Sequence, residues 1–452
     1  MSLADYCASL RGKRIAVVGL GVSNQPLVRV LLQHGLDVTG CDRRDTPDEA
    51  LSALEAAGCT LKLGEGYLDS IEADVIFRTP GLHPDKLAHL LEGGAVLTSE
   101  MEAFLSLCPC PVIAVTGSDG KTTTTTLISE MLKAAGRTVW VGGNIGTPLF
   151  DRVDEIKADD IAVLELSSFQ LLTMQQSPQR AVITNLAPNH LDIHRDMDEY
   201  VRAKENIFRY QRPGDLLVLN ADNALTVDAA KRAVCGNLRW FSRQQPQENG
   251  VWFDGEAILR SGKIVVRAED ILLPGLHNVE NYMTAICAVE GLVPDEAIRQ
   301  VARSFGGVEH RIELVRVKDG VKFYNDSIAS SPSRTIAGLR SFDQKVILIA
   351  GGADKHIPYD VLGPDLIAHV KAMVLTGPTA PAIKAAAEQA PGYVPGAPEI
   401  YMQEDFRAAV EQAAALAKEG DIVILSPAST SFDRFRNFAE RGNVFKQIIK
   451  EL

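Results

Sequence analysis

The sequence predicts an α/β protein of three domains, each built on a largely parallel sheet flanked by helices. Three observations lead there. Short apolar runs that end at glycine or a polar residue alternate with stretches of helical periodicity, which is the rhythm of βαβ units. The chain has 452 residues, and at roughly 150 residues per domain that makes about three cores. The pattern restarts near residues 108 and 307, so domains are expected at 1–108, 109–307 and 308–452.

In the first section RIAVVGLG reads as a buried strand ending in glycine, and NQPLVRVLLQHG as a helix stopped by Gly35. DVTGCD and ADVIFRTPG supply two further strands. CPVIAVTG opens the second section, with strands IAVLELSS, RAVITNLA and DLLVLNA and helices TTTTLISEMLKAAG and DEYVRAKENIFRY. A more polar, hairpin-like stretch at about 239–272 and the helix NVENYMTAICAVEGL complete it. In the third section KVILIAGG, AMVLTG and DIVILSP are strands between helices.

Composition narrows the function. A hydrophobic content of 46% with 23% charged residues is that of a soluble globular protein. The net charge of −12 argues against general nucleic-acid binding, which needs a basic surface. No apolar run approaches the ~20 residues of a membrane helix, and MSLADYCASLRGK lacks the apolar core of a signal peptide. Seven scattered cysteines suit a reducing compartment, so a cytoplasmic protein is expected; a monomer is expected as well. The close pair in CPC, residues 108–110, lacks a second pair or histidines at zinc spacing and reads as a loop.

The stretch VTGSDGKTTTTT, residues 115–126, holds the parts of a phosphate site at an unusual spacing. Only Ser118 and Asp119 separate Gly117 from Gly120, so the generic Walker pattern fails. Yet an apolar strand, two glycines where the backbone must approach an anion, and Lys121 and Thr122 at the mouth of a helix are all present. The alternative is a plain glycine turn before a helix. In GLGVSN, residues 19–24, Asn24 stands where a dinucleotide fingerprint wants its third glycine. Asp42 ends the next strand, about where a ribose-binding acid belongs. A nucleotide-like ligand and a tight strand-to-helix turn both fit that loop.

If Lys121 and Thr122 hold a triphosphate, Mg²⁺ with oxygen ligands should lie near. Glu165, inside the apolar run IAVLELSSFQ, is then a candidate ligand; otherwise it is a strand-end glutamate facing water. His190, Asp192 and His194 in NLAPNHLDIH follow the next strand, at the edge where open α/β sheets keep their ligands. In DEYVRAKENIF, Lys204 falls in the apolar stripe of Tyr200, Val201, Ile207 and Phe208. Either it snorkels its ammonium to water, or its amine lies near the metal with its charge altered, because an ammonium would repel Mg²⁺.

Taken together, TGSDGKTTT, GNIG at 143–146, LELSSFQL, NHLDIH with Lys204 downstream, GLHNVEN and HRIE resemble the Mur ligases. These are the ATP-dependent amide-forming enzymes of peptidoglycan synthesis. NDSIASSPSRT, GGADK and SPASTSFDRFRNFAERGNVF are similar to the branch that adds D-glutamate, and the likeness runs along essentially the whole chain. The resemblance implies a Rossmann-like N-terminal domain, a central P-loop mononucleotide-binding domain of ATPase type and a Rossmann-like C-terminal domain. It also implies that the short Gly-x-x-Gly-Lys-Thr loop is complete as it stands. The implied reaction joins D-glutamate to UDP-N-acetylmuramoyl-L-alanine through an acyl phosphate, with ATP and two Mg²⁺ ions.

By the same resemblance, Gly117, Ser118, Asp119, Gly120, Lys121, Thr122 and Thr123 would hold the ATP phosphates. Thr122 and Glu165 would share one magnesium ion, His190 would bind a second, and Lys204 would carry a CO₂-derived carbamate beside them. Lys121, Glu165, His190 and Lys204 form the implied catalytic set. Asn278 and Asn281 are expected on the adenine side, with Arg311 and Asp326 as further nucleotide contacts. Val22, Ser23, Asp42, Arg44, Thr79, Pro80, Gly81, Asn144 and His190 would contact the UDP substrate, Asn144 near the reacting carboxyl. Ser330, Lys355, Ser431 and Phe438 would form the D-glutamate pocket. Ile328, Asn24 and the Arg43–Arg44 pair depart from the family pattern. A sister ligase using another amino acid, a non-catalytic ATP-driven switch and an NAD-dependent dehydrogenase are the alternatives. The missing third glycine and the phosphate loop elsewhere weigh against the last.

Overall fold

The computed structural model describes residues 1–69, 71–189, 193–354 and 357–452. The chain packs as two compact units, one of residues 1–270 with 279–303 and one of residues 271–278 with 304–452. The α/β class read from the sequence is the class observed, with three sheets rich in parallel pairs.

The first unit contains two of these sheets. One has five strands, all parallel, in the spatial order Thr60–Leu63, Val38–Asp42, Ile15–Val18, Val75–Arg78, Val96–Thr98. Chain direction across the sheet reverses between Ile15–Val18 and Val75–Arg78, so a switch-point crevice opens at their C-terminal ends. The other has nine strands, beginning Val139–Gly143, Ile161–Glu165, Val112–Thr116, Arg180–Ile183, Leu216–Asn220. These continue in parallel through Asn237–Ser242 and Gly250–Phe253, and an antiparallel pair, Ala257–Arg260 and Lys263–Arg267, closes the edge. Every residue of Val112–Thr116 and Ile161–Glu165 is buried, as central strands covered on both faces must be.

The hairpin expected over 239–272 is thus narrower than read. Asn237–Ser242 joins the parallel sheet, and the chain folds back over 250–267: Ala257–Arg260 pairs antiparallel with Gly250–Phe253 on one side and with Lys263–Arg267 on the other, the second reversal passing through Ser261 and Gly262 at φ +50° and +73°. Two consecutive positive φ values match the twist of the flanking strands.

The second unit holds the third sheet, in the order Glu313–Lys318, Val321–Asn325, Ile422–Leu425, Val346–Ala350, Val370–Leu375, Glu399–Met402. Its first pair is antiparallel and the rest are parallel. Along the central strand, Val346, Leu348 and Ala350 pack into one apolar layer with Leu339, Leu366 and Ile383. Ile347 and Ile349 pack into the opposite layer with Phe406, Val410 and Phe445. The period of two sends alternate residues to opposite faces, and helices cover both. Among the described residues no helix is long and apolar enough to cross a membrane.

Candidate active site

The strand Val112–Thr116 runs into residues 117–120 and then the helix Lys121–Ala134. Both glycines are required. Gly117 sits at φ +148° and Gly120 at φ +75°, where a Cβ would overlap the Thr184 hydroxyl and the Asn281 side-chain oxygen respectively. The loop is held from the neighbouring strand end and from the Lys204 helix. The Ser118 amide donates to the Asn185 carbonyl (2.9 Å), and the Asp119 amide to Asn185 Oδ1 (2.9 Å). Thr184 Oγ1 donates to the Asp119 carbonyl, and the Ser118 hydroxyl pairs with the Tyr200 hydroxyl at 2.8 Å. Gly120 gives no side-chain cap, and the positive end of the helix dipole favours an anion at this loop. Lys121 Nζ folds back onto the carbonyls of Gly117 and Ser118, each at 2.9 Å.

Lys204, on the helix Met197–Arg209, is 1% exposed. Its amine does not reach water, which removes the snorkelling reading. It donates to the Gly117 carbonyl at 2.8 Å and to Thr116 Oγ1 at 3.3 Å, and stands 4.8 Å over the Tyr200 ring. Burial, and then the charge of Lys121, push its pKa well below the ordinary lysine value, against the pull of Asp119 and Glu165. Glu165 ends the strand Ile161–Glu165 and is 1% exposed, so it does not face water. Asn144 Nδ2 donates to its Oε1 at 2.7 Å; its Oε2 is buried with no hydrogen-bond partner among the described residues. A carboxylate oxygen left alone in the interior is costly unless a cation meets it. Magnesium takes oxygen ligands, with few from protein. The orphaned Oε2, on the strand paired with the one that runs into the loop, therefore fits such an ion.

His190 and Asp192 lie outside the described residues, as does Lys355. His194 is buried, stacked 5.3 Å from Phe169, with its Nε2 2.9 Å from Ser168 Oγ. Burial lowers its pKa, with Glu199 opposing. Asn281 stands against the loop, accepting from Thr124 Oγ1 at 3.3 Å.

At the switch point of the five-stranded sheet, Asp42 accepts the Leu20 amide (2.7 Å) and Arg44 Nε (2.9 Å). Burial works against its ionisation, but the bonds from Arg44 and Leu20 prevail and its pKa is lowered. Asn24 begins the helix Asn24–Gln33, and its amide donates to the Gly19 carbonyl at 2.8 Å. The residue that breaks the dinucleotide fingerprint thus closes the loop with its own side chain. Val22 at the tip is exposed and Ser23 is half-buried. Thr79, Pro80 and Gly81 follow Val75–Arg78. The buried Arg78 guanidinium donates to the carbonyls of Thr79 (3.3 Å), Pro80 (3.1 Å), Leu82 (2.6 Å) and Phe169 (2.7 Å). That clamp ties the 79–81 turn to the short helix Ser168–Leu171, which follows Glu165.

In the second unit, Asn278 donates to the Pro274 carbonyl at 2.7 Å. Asp326 is buried and accepts from Ser426 Oγ at 2.8 Å; burial raises its pKa to about 7, with Arg311 among the groups opposing. Phe438 opens the helix Phe438–Glu451 and meets the His310 ring edge-on at 5.9 Å. The buried Arg441 donates to the carbonyls of Ser327 (2.9 Å), Ser429 and Thr430 (both 3.1 Å). It binds the loop that continues to Ser330 to the loop that continues to Ser431, at the C-terminal ends of adjacent strands.

The structure thus gathers Gly117, Ser118, Asp119, Gly120, Lys121, Asn144, Glu165, Lys204 and Asn281 around one strand edge. Thr184, Asn185, Tyr200 and Arg78 were not singled out as site residues from the sequence. Tyr200 carried a readable signal, since it lies one helical turn before Lys204 on the same face. Arg78 gave none, because its acceptors are carbonyls brought together only by folding.

Comparison with known proteins gives the family. Residues 115–289 match the Mur ligase middle domain, and residues 310–429 the Mur ligase, glutamate ligase domain. The UDP-N-acetylmuramoylalanine–D-glutamate ligase of Clostridium novyi is 50% identical over 450 residues, spanning 98% of each chain. Its counterpart from Acetivibrio thermocellus is 50% identical over 461 residues, spanning 100% of this chain and 99% of that relative. Among solved structures, UDP-N-acetylmuramate-alanine ligase from Thermotoga maritima superposes with a TM-score of 0.58 at 18% identity, over 97% of this chain and 99% of that one. That likeness concerns the fold alone. The chain belongs to the Mur ligase family.

Proposed function

We propose that this Mur ligase uses ATP to join D-glutamate to UDP-N-acetylmuramoyl-L-alanine through an acyl phosphate, in peptidoglycan precursor synthesis. Half-identity to the D-glutamate ligases along the whole chain supports the substrate pair. The observation that carries the chemistry is the short phosphate loop backed by a buried carboxylate with one free oxygen and a buried lysine with a lowered pKa.

The substrate's alanyl carboxylate attacks the γ-phosphorus of ATP, so a C–O–P bond forms as ADP leaves. The D-glutamate amine then attacks the acyl carbon, the amide forms and phosphate leaves. The amide groups of 117–123 cradle the phosphates, and Lys121 exchanges its two loop carbonyls for phosphate oxygens. Thr122, Glu165 and His190 would hold magnesium, which when bound offsets the repulsion between carboxylate and triphosphate. Only a neutral amine adds to CO₂, and burial shifts Lys204 towards that form. A carbamate on Lys204, made with loss of a proton, would offer magnesium anionic oxygens in place of a cation. Asn144 holds Glu165 by its hydrogen bond and would contact the substrate near the reacting carboxyl.

Val22, Ser23, Asp42, Arg44, Thr79, Pro80, Gly81 and His190 are assigned to the UDP substrate, and Asn278, Asn281, Arg311 and Asp326 to the nucleotide. Ser330, Lys355, Ser431 and Phe438 are assigned to D-glutamate. One sheet each supports a division into domains 1–108, 109–307 and 308–452. We place the protein in the cytoplasm as a monomer; its seven free cysteines suit that compartment.

The test is multiple-turnover phosphate release from Mg-ATP with UDP-N-acetylmuramoyl-L-alanine. Release should require D-glutamate and fail with L-alanine or diaminopimelate in its place. Steady release without any added amino acid would defeat the assignment.

A further inference from the structure

The cysteine pair at 108–110 has no part in the site above, and its geometry differs from that of the other thiols. Of the seven cysteines, Cys108 alone is not buried. Its sulfur stands 3.5 Å from that of Cys110. Pro109 between them fixes one backbone angle and limits how far the two can spread. Cys108 ends the helix Glu100–Leu107, with its amide donating to the Phe104 carbonyl at 2.8 Å, and leaves helical geometry at ψ +117°. Cys110 is buried two residues before the strand Val112–Thr116, whose far end becomes the phosphate loop. A disulfide needs about 2.05 Å between sulfurs, so closure requires a shift of only about 1.5 Å.

We propose that Cys108 and Cys110 are a dithiol pair that hydrogen peroxide closes to a reversible intramolecular disulfide. Cys108 is the attacking sulfur, since it is the accessible one. A hydrogen bond from the Cys110 thiol lowers its pKa, which raises its thiolate fraction. Its thiolate attacks one peroxide oxygen, the O–O bond breaks, and the leaving oxygen departs as water after taking a proton. Cys108 is now a sulfenic acid, oxidised by two electrons as the peroxide is reduced by two. Cys110 then attacks the Cys108 sulfur, the S–S bond forms, the S–O bond breaks, and a second water leaves with the Cys110 proton. A dithiol reductant reverses the closure by exchange.

The test uses the full-length reduced protein and hydrogen peroxide. Thiols are counted under denaturing conditions and peptides are mapped by mass. The expected result is a loss of two thiols and a peptide spanning 108–110 lighter by two hydrogens, both restored by dithiothreitol. In Cys110→Ser the sulfenic acid on Cys108 should persist and be trapped by dimedone; in Cys108→Ser neither product should form. An unchanged thiol count, a disulfide mapped to other cysteines, or sulfinic acid at Cys108 with Cys110 still a thiol would each overturn the proposal. The first measurement is made on the unsubstituted protein, so it does not depend on a variant folding.

Discussion

Two lysines share one carbonyl oxygen of the phosphate loop. Lys121 and Lys204 both donate to Gly117, at 2.9 and 2.8 Å. Two ammonium groups at that separation repel, and only Lys121 has a loop and a helix end around it that can exchange protein carbonyls for phosphate. Discharging Lys204 would relieve the conflict, and the proposed carbamate would add a second anion to that of Glu165 for a metal ion. Lys204→Ala should lower kcat by about 10²–10³-fold, with partial rescue by short carboxylic acids. Carbon-13 spectra in labelled bicarbonate should show a carbamate resonance in the unsubstituted protein and none in the variant. A fully active Lys204→Ala would remove the carbamate from the scheme. Glu165→Gln keeps an acceptor for Asn144 but loses the charge, so the Mg²⁺ concentration for half-maximal rate should rise by about tenfold or more.

At the scale of single elements, the helix Glu100–Leu107 shows a buried carboxyl at odds with its surroundings. Ser99 caps the helix by accepting from the Glu102 amide at 3.2 Å. Glu100 follows it, where the helix dipole favours a negative charge. Burial nonetheless raises its pKa from 4.5 to about 7, against a bond from the Phe150 amide, and its Oε1 has no hydrogen-bond partner among the described residues. The sign is then set. Between these two values the folded chain binds more protons than the unfolded one, so the Glu100 contribution is whole below about 4.5 and is lost as pH rises through about 7. Glu100→Gln removes that slope. Its melting temperature should gain on that of the unsubstituted protein between pH 5 and pH 8, and a difference constant across that range would contradict the assignment.

Across the first unit, the two sheets are joined by more than apolar packing. Arg78 leaves a strand of the five-stranded sheet and holds the Phe169 carbonyl just beyond a strand of the nine-stranded one. Burial lowers its pKa to about 10, so it stays charged at neutral pH. Its hydrogen bonds offset that desolvation only while all are made. Arg78→Met would strand the carbonyls of Thr79, Pro80, Leu82 and Phe169. It should cost about 2–4 kcal/mol in denaturant unfolding and raise KM for the UDP substrate, since the 79–81 turn loses its clamp. Mg-ATP binds the folded chain alone, so ATP at 100 times its Kd should stabilise by about 2.7 kcal/mol; no thermal shift with Mg-ATP would count against the loop as a nucleotide site.

The sequence by itself determined the α/β class, the phosphate loop with Lys121 at a helix mouth, and the helix whose apolar stripe includes Lys204. These rest on periods of two and 3.6 and on glycine placement, which are local properties of the chain. The tertiary structure alone decided whether Lys204 reaches water, which oxygen of Glu165 is left without a partner, and that Thr184, Asn185 and Tyr200 brace the loop. It also placed Asn237–Ser242 in the parallel sheet and set Arg78 among four carbonyls. Burial and hydrogen-bond partnership depend on what packs over a residue from distant parts of the chain, and no reading of its neighbours in sequence contains that.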